Sequence, residues 1–397
     1  MIRAGRQVRH VRFALACLFL VAACSPSSPA PSGSPATGLV ANASPAGASA
    51  TPPASPTPGG SLSASPSPTP SPSPTPVPTP ALVKDPLTGR LVSSASAALH
   101  PIAVMIDDLG PARPQSGLSE ASIVWQAPAE GGIPRYMAIF SSTVPTDVGP
   151  VRSSRYYYIA WASEYKALYV HAGGSPQALS TLLAKGNGQL VYNADEFRYG
   201  GSFRRIKTRV APHNLYTTGA ELRKLAGSRG ATAAPAPIWT FNDPAPLAAR
   251  PTGGRITFAY PQNAIRYDYN RLTNTYLRSV TKEGAQIDAA TKQRIAPTNV
   301  VIMWMKFGPL NDGEAYKHRL EATVVGSGPA WVASNGHTVK GTWKKASLSG
   351  PTLFYDSQGN LINLTVGQTF VNVLTWGTAV SDHDGVVLPP RVGPVEN

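Results

Sequence analysis

Residues 25–83 of this 397-residue chain contain no charged residue and consist mainly of proline, serine, threonine and alanine. A segment of this composition has too few large apolar side chains to form a core, and it favours disordered or polyproline II conformations. Any folded core is therefore confined to the sequence from about Lys84 onward. We predict a tether over residues 24–83, which at about 3.1 Å per residue could hold the folded part more than about 100 Å from its attachment point.

The sequence before the tether is typical of a bacterial lipoprotein signal. An apolar run over residues 13–23 follows four basic residues, Arg3, Arg6, Arg9 and Arg12. The run is about half as long as the roughly 20 residues that a spanning helix requires, so it fits the apolar region of a signal peptide. Cys24 directly follows Val21 and two alanines, which suit cleavage before a lipidated cysteine.

We therefore predict a signal peptide over residues 1–23 and lipidation of Cys24. The lipid would make the membrane a partner of the mature chain and place it on the extracytoplasmic face of the bacterial cell membrane. The alternative is ordinary cleavage in the same region, with Cys24 unmodified.

Cysteine content and charge restrict the chemistry. The two cysteines, Cys17 and Cys24, both lie in the signal region, so the folded part must depend on its hydrophobic core rather than on disulfides. The formal net charge is +14, and removal of the four signal arginines leaves about +10. For an exported chain we expect no nucleic-acid partner, and the charge favours an anionic cell-wall polymer, a phosphorylated glycan or lipid headgroups. A basic solvated surface is the simpler alternative.

Alternating strand and helix signals indicate an α/β domain over residues 84–230. Short apolar runs at residues 100–107, 121–128, 134–140 and 167–171 predict strands, and helical spacing appears near residues 155–165. Ser175 followed by Pro176 predicts a helix start, with Gly186 ending that helix. Thr218 and Glu221 form a capping box for a helix that ends near Gly227.

The remainder of the chain is rich in strand signals. We predict a linker over residues 231–250, a mostly antiparallel β-rich domain over residues 251–380 and a loose tail over residues 381–397. Asn335-Gly336 predicts a tight hairpin with a type I′ turn. The predicted fold class is therefore α+β, with an N-terminal mixed α/β domain followed by a β-rich C-terminal domain.

Several long strings resemble the YerB-like family of bacterial lipoproteins. They are PIAVMIDDLGPARPQSGLSEASIVWQAPAEGGIPRYMAIF, VGPVRSSRYYY, VHAGGSPQAL, RVAPHNLY and, near the C-terminus, GTWKKASLSGPTLFYDSQGNLINLTVGQTFVNVL. The resemblance covers nearly all of residues 84–378 and implies a lipid-anchored envelope protein with two domains of unknown function. It implies no reaction. Members of that family usually carry asparagine where this chain has Asp108.

Polar residues are dense at the predicted strand ends of the first domain, where ligand sites concentrate. His171 ends a strand and precedes Gly173, Gly174 and Ser175. A strand end followed by glycines and a helix start is where α/β folds bind anions. The alternative is that Ser175 only caps the helix and His171 is a buried histidine with satisfied hydrogen bonds.

A basic segment follows in FRRIKTRVAPHN. Strand alternation would place Arg205, Lys207 and Arg209 on one face and Arg204 on the other, near His213. Arginines bind phosphate and carboxylate groups bidentately. The alternative is an edge strand that its charges keep from pairing with another chain.

We weigh three functions. The first is binding of an anionic glycan, peptide or wall component in a basic cleft, whose candidate residues are Arg152, Arg155, His171, Gly173, Gly174, Ser175, Arg204 and His213. The second is a hydrolase or transferase, with catalytic candidates His171, Asp195, His213 and Glu130. The third is a structural module that docks an envelope protein. Two histidines and a carboxylate could also bind a metal, but no spacing requires one, and we predict neither a metal nor a cofactor.

Overall fold

The computed structural model describes residues 81–280 and 283–388. The predicted signal peptide, Cys24, the tether up to residue 80 and tail residues 389–397 lie outside the described residues. Within the described part, no helix is long and apolar enough to cross a membrane.

The first half of the described chain contains short strands interspersed with helices. Its strands are β1 Leu82–Lys84, β2 Leu91–Ser93, β3 Ile102–Asp107, β4 Ile123–Pro128, β5 Pro134–Phe140, β6 Leu168–His171, β7 Tyr192–Asp195, β8 Arg204–Arg205 and β9 Leu215–Tyr216. Its α-helices are α1 Ser94–Ala97, α2 Tyr156–Ala162, α3 Pro176–Lys185, α4 Glu196–Tyr199 and α5 Gly219–Ser228. Short 3₁₀ turns occupy Gly110–Ala112, Glu130–Gly132, Ser163–Tyr165 and Gly200–Ser202.

The second half is built from strands. They are β10 Phe241–Asn242, β11 Arg255–Tyr260, β12 Asn263–Asn270, β13 Thr275–Val280, β14 Gly284–Ala285, β15 Asn299–Met305, β16 Phe307–Pro309, β17 Leu320–Ala322, β18 Gly326–Ser334, β19 His337–Lys345, β20 Thr352–Tyr355, β21 Leu364–Thr365, β22 Thr369–Thr375 and β23 Val380–His383. Short 3₁₀ turns at Leu247–Ala249 and Ala315–Lys317 lie between them.

One mixed sheet runs through both halves. Among the described residues it has ten strands in the order β20-β19-β18-β15-β22-β4-β5-β3-β6-β7. Strand β22, late in the chain, pairs in parallel with both β15 and β4, and so joins the sheet of the first half to that of the second. The two predicted domains therefore share a sheet, while their exact boundaries stay a prediction.

Apolar alternation explains how this sheet is covered. Ala103 and Met105 of β3 belong to a core that α2 and α3 cover, whereas Val104 and Ile106 belong to the core on the opposite face, beside α5. A second sheet, in the order β14-β13-β12-β11-β23, packs against β15 and β22 in a third core. Strands buried on both faces are continuous apolar runs, as β3 and β15 are.

The local sequence signals are confirmed. The Ser175 hydroxyl accepts a hydrogen bond from the Ala178 N–H at the start of α3, and the Thr218 hydroxyl accepts one from the Glu221 N–H at the start of α5. Asn335 and Gly336 both have positive φ in the turn between β18 and β19, as a type I′ hairpin requires.

Three expectations about segment ends differ from the structure. The tail that we expected to be loose begins with β23, which pairs with β11 and so satisfies the backbone of that edge. Leu82 and Val83, which we placed in the tether, pair with β2. The basic segment forms a strand only at Arg204–Arg205, so Lys207 and Arg209 do not continue its face.

Buried polar contacts also join the two halves. Asp108 accepts hydrogen bonds from Gln126 Nε2 at 2.6 Å and Asn263 Nδ2 at 2.9 Å, and Arg113 forms an ion pair with it at 3.1 Å. Arg278 of β13, which is fully buried, donates to Gln126 Oε1 at 2.6 Å. Burial raises the pKa of Asp108, and the arginine charges oppose that rise.

Candidate functional site

The carboxyl ends of four strands lie along one edge of the ten-stranded sheet. Strands β3, β6 and β7 are parallel neighbours, and β4 has the same direction because both β3 and β4 pair antiparallel with β5. Asp107, His171 and Asp195 are the last residues of β3, β6 and β7, and Glu130 follows β4. We refer to this edge as the carboxyl edge. Ligand sites in open α/β sheets lie in this position.

Asp107 is the centre of one cluster at the carboxyl edge. Its Oδ2 atom lies 2.7 Å from His213 Nδ1, and its Oδ1 atom accepts a hydrogen bond from the Leu109 N–H at 3.1 Å. Because a carboxylate only accepts, Nδ1 carries the proton, and Nε2 of a neutral His213 is then an acceptor. That Nε2 atom has no hydrogen-bond partner among the described residues.

Arg152 lies against the same carboxylate. Its Nε atom is 2.9 Å from Asp107 Oδ2, but the N–H is not directed at that oxygen, so the contact is an ion pair without a hydrogen bond. The two terminal nitrogens of Arg152 form no hydrogen bond within the described chain, and 22% of the side chain is exposed. Burial lowers the pKa of the guanidinium, while the Asp107 carboxylate raises it and the Arg135 charge lowers it further.

Two further arginines surround Glu130. Arg135 donates to Glu130 Oε2 at 3.0 Å and to the Ser153 carbonyl at 2.7 Å. Arg155 forms an ion pair with Glu130 and donates to the Ser154 carbonyl. Burial lowers the pKa of both guanidiniums. Glu130 therefore pairs with both Arg135 and Arg155, while Arg152 lies against Asp107.

The structure does not assemble the predicted acid/base set. His171 is fully buried, with Nδ1 2.8 Å from the Gly173 carbonyl and Nε2 2.7 Å from Asn193 Oδ1. Asp195 accepts from the Gly173 and Phe197 N–H groups and lies 3.9 Å from His171 Nδ1. Among the described residues, no hydrogen bond or ion pair joins His213 to either of them.

The glycine loop is closed by the protein itself. The Gly173 carbonyl accepts from the Ser154 N–H at 2.8 Å, and the Ser175 N–H donates to the Ser154 carbonyl at 3.2 Å. These contacts, together with the cap that Ser175 forms, occupy most of the groups that we expected to bind an anion. Only the Gly174 N–H in this loop lacks a hydrogen bond within the described chain.

Arg204 lies apart from the cluster. It is on the exposed strand β8 and pairs with Asp147 at 2.8 Å. No hydrogen bond or ion pair within the described chain links it to Asp107, Arg152 or His213. The described residues also contain no group of three or more histidine, cysteine or acidic residues that could bind a metal.

The sequence-based prediction did not identify two residues near the carboxyl edge. Asp107 was placed only at the end of a strand, although it contacts both Arg152 and His213. Asn193 pairs with His171 and was not considered. The signal that identified His171, a polar residue at a strand end, also applies to Asp107 and could have found it.

Known proteins resemble this chain along most of its folded part. Residues 87–232 match the N-terminal domain, and residues 256–371 the C-terminal domain, of DUF3048, described as a protein of unknown function. The protein named "Putative lipoprotein YerB" of Bacillus subtilis (strain 168) is 29% identical over 299 residues, which cover 74% of this chain and 86% of YerB.

A solved structure agrees with this match. The crystal structure of YerB protein from Bacillus subtilis has a TM-score of 0.66 and 26% sequence identity, and it covers 75% of this chain and 99% of that one. The predicted α+β fold and the YerB-like resemblance are both confirmed. The chain belongs to the YerB-like family of proteins built from the two DUF3048 domains.

Proposed function

We propose that this chain is an extracytoplasmic lipoprotein, anchored through Cys24, that binds an anionic group of a cell-wall component at the carboxyl edge. The signal sequence and the name of the YerB relative support the anchor. The charge-free segment after Cys24 supports a tether that lets the folded part act away from the membrane.

The binding proposal rests on one observation, the unpaired terminal nitrogens of Arg152 within the described chain. Its guanidinium lies beside Asp107, yet its terminal nitrogens have no hydrogen-bond partner in the described chain and the side chain is 22% exposed. Phosphate and carboxylate groups bind such a guanidinium through two parallel hydrogen bonds. His213, whose side chain is 11% exposed, could contribute Nε2 when protonated. Arg135 and Arg155 add positive charge nearby and are held by Glu130.

Binding of the full-length chain to cell-wall fragments tests this proposal. Fragments that retain their anionic polymers should bind with an affinity that falls as salt rises, and fragments stripped of those polymers should bind more weakly. Arg152→Gln should reduce the affinity about tenfold or more, because it removes charge-assisted hydrogen bonds. Arg204→Gln is the matched control, since it removes an exposed arginine that pairs with Asp147 and lies apart from Arg152 in the described structure.

Equal binding by wild type and Arg152→Gln would overturn the assignment of the site. Equal losses in Arg152→Gln and Arg204→Gln would mean that only net charge matters. Failure of both fragment types to bind would count against a wall component altogether.

A hydrolase is the second candidate, because Asp107 orients His213 in the way that a carboxylate orients a general base. The pair differs from the predicted set in using Asp107 instead of Asp195. This function predicts that His213→Ala abolishes cleavage of wall fragments while Arg152 still supports binding. If wall fragments remain uncleaved after incubation with the wild-type chain, the hydrolase function is eliminated.

A further inference from the structure

A second concentration of arginines lies in the other half of the molecule, on the β14-β13-β12-β11-β23 sheet. Side chains of β11 and β12 alternate, so Ile256 and Tyr267 enter the core while their neighbours lie on the outer face. Arg255 and Asp268 are directly opposite each other in the β11–β12 register, and Arg266 lies two positions before Asp268. These residues lie on a different sheet from the strands of the carboxyl edge.

The outer face forms a cavity of about 320 Å³ at this point. Arg255, Arg266, Asp268 and Leu277 line it from the strands, Arg294 lines it from the segment after β14, and Gly253 and Gly254 line it from the approach to β11. A volume of this size accommodates a small phosphorylated or carboxylated molecule rather than a single water.

Three guanidiniums line the cavity. Asp268 accepts from Arg255 Nε at 2.5 Å and from Arg266 Nε at 2.8 Å, so one carboxylate lies between two guanidiniums. Arg294 is a third guanidinium. It donates to Ser279 Oγ at 3.0 Å, and its Nε atom is buried with no hydrogen-bond partner in the described chain.

The electrostatics around Arg294 favour a further negative charge beside it. Burial lowers the pKa of its guanidinium, the Asp268 carboxylate raises it, and the nearby Arg266 charge lowers it further. An additional negative charge in the cavity would therefore stabilise the charged form of Arg294. Guanidinium groups at the wall of a partly enclosed cavity bind oxyanions more strongly than the same groups in open water.

We propose that this cavity binds a phosphate group, with Arg294 as the residue that contacts it. The group could belong to free phosphate, to a phosphorylated glycan or to a phospholipid headgroup, which share the chemistry that the arginines recognise. The site is separate from the carboxyl edge and does not depend on the function proposed there.

Titration of the full-length chain with inorganic phosphate, followed by calorimetry, tests the proposal. Wild type should bind, and Arg294→Gln should bind about tenfold or more weakly. Leu277→Glu is a second variant that keeps Arg294 and places a carboxylate in the cavity, so it should also weaken binding. Circular dichroism would verify that both variants fold.

Two control variants separate this site from the carboxyl edge. Arg204→Gln should bind phosphate like wild type. Because Arg152 is itself proposed to bind an anion at the carboxyl edge, the titrations are repeated in the Arg152→Gln background, where adding Arg294→Gln should still weaken phosphate binding about tenfold or more. The proposal is overturned if Arg294→Gln and Leu277→Glu both bind phosphate normally. It is also overturned if Arg152→Gln alone removes all phosphate binding, because the carboxyl edge would then be the site.

Further probes identify the source of the phosphate. Tighter binding of glycerol 3-phosphate than of inorganic phosphate would indicate a phosphorylated glycan or polyol. Arg294-dependent binding to phosphatidylglycerol vesicles, but not to phosphatidylcholine vesicles, would indicate a lipid headgroup.

Discussion

Replacing Lys345 with methionine should destabilise the fold by about 3–5 kcal/mol near neutral pH, because it leaves a buried carboxylate without its counter-charge. Lys345 Nζ lies 2.6 Å from Glu164 Oε1, and both side chains are fully buried. Glu164 also accepts hydrogen bonds from the N–H and the hydroxyl of Thr352 at 3.0 and 2.6 Å. The pair connects the turn after α2 to the end of β19, so its loss affects the contact between the two halves.

The pH dependence of this variant has a definite sign. Burial raises the pKa of Glu164, and the positive charge of Lys345 opposes that rise. Without Lys345, the folded-state pKa of Glu164 lies further above its ordinary value of 4.5, so the folded state binds the proton more tightly than the unfolded state. Lys345→Met should therefore be most stable below pH 4.5 and lose stability as the pH rises through the folded-state pKa.

The reciprocal variant Glu164→Gln should have the opposite slope. Burial lowers the pKa of Lys345, and the Glu164 charge opposes that change. Without Glu164, the folded-state pKa of Lys345 lies further below its ordinary value of 10.5, so the folded state binds the proton less tightly. Stability should then rise with pH between the folded-state and unfolded-state pKa values of Lys345.

Urea unfolding of the full-length chain, followed by tryptophan fluorescence over a series of pH values, measures both effects. The double variant Glu164→Leu/Lys345→Met removes both charges and should recover most of the lost stability. A loss below about 1 kcal/mol in either single variant, which is typical of an exposed ion pair, would refute the reasoning. So would slopes of the same sign in the two single variants.

Three other predictions follow from single contacts. Cys24→Ala should move the protein from the membrane fraction to the soluble fraction on ultracentrifugation, and unchanged sedimentation would contradict lipid anchoring at that residue. Thr218→Ala should lower the free energy of unfolding by about 1 kcal/mol, since it removes the cap of α5; no change in urea unfolding would mean that the cap is dispensable. Asp108→Ala should cost about 3–5 kcal/mol in the same assay, because it leaves Arg113 and Arg278 without a buried counter-charge. A loss no larger than that of Thr218→Ala would contradict this balance of charges.

Sequence reasoning predicted the features that depend on a few neighbouring residues. The cap at Ser175 and the turn at Asn335-Gly336 involve contacts within three or four positions, so the residue types alone specify them. The position of β22 between β15 and β4 could not be predicted, because strand order depends on pairing between distant segments. The alternation of apolar residues fixes which face of a strand is buried, but it does not identify the neighbouring strand.

The same distinction between local features and distant contacts applies to the candidate site. That several polar candidate residues lie together at strand ends was predictable, because the carboxyl ends of parallel strands share an edge. The partners were not predictable: His213 is 106 residues from Asp107 in the chain, and the sequence contains no feature that selects Asp107 over Asp195 for it. His171 was predicted to be a site residue, but its side chain is instead buried against Gly173 and Asn193. These contacts depend on where β7 lies beside β6, which the sequence does not specify.

Two adjacent carboxylates connect the carboxyl edge to the contact between the halves. Asp107 pairs with His213 and Arg152 at the edge, whereas Asp108 enters the buried network that includes Asn263 of β12. The second half of the chain therefore contacts the end of β3 at Asp108, one residue from the Asp107 carboxylate that orients His213. A binding site performs best when such supporting contacts hold its first contact residues in place. The proposed binding residues therefore lie in the first half of the described chain, and a contact from the second half holds the strand end beside them.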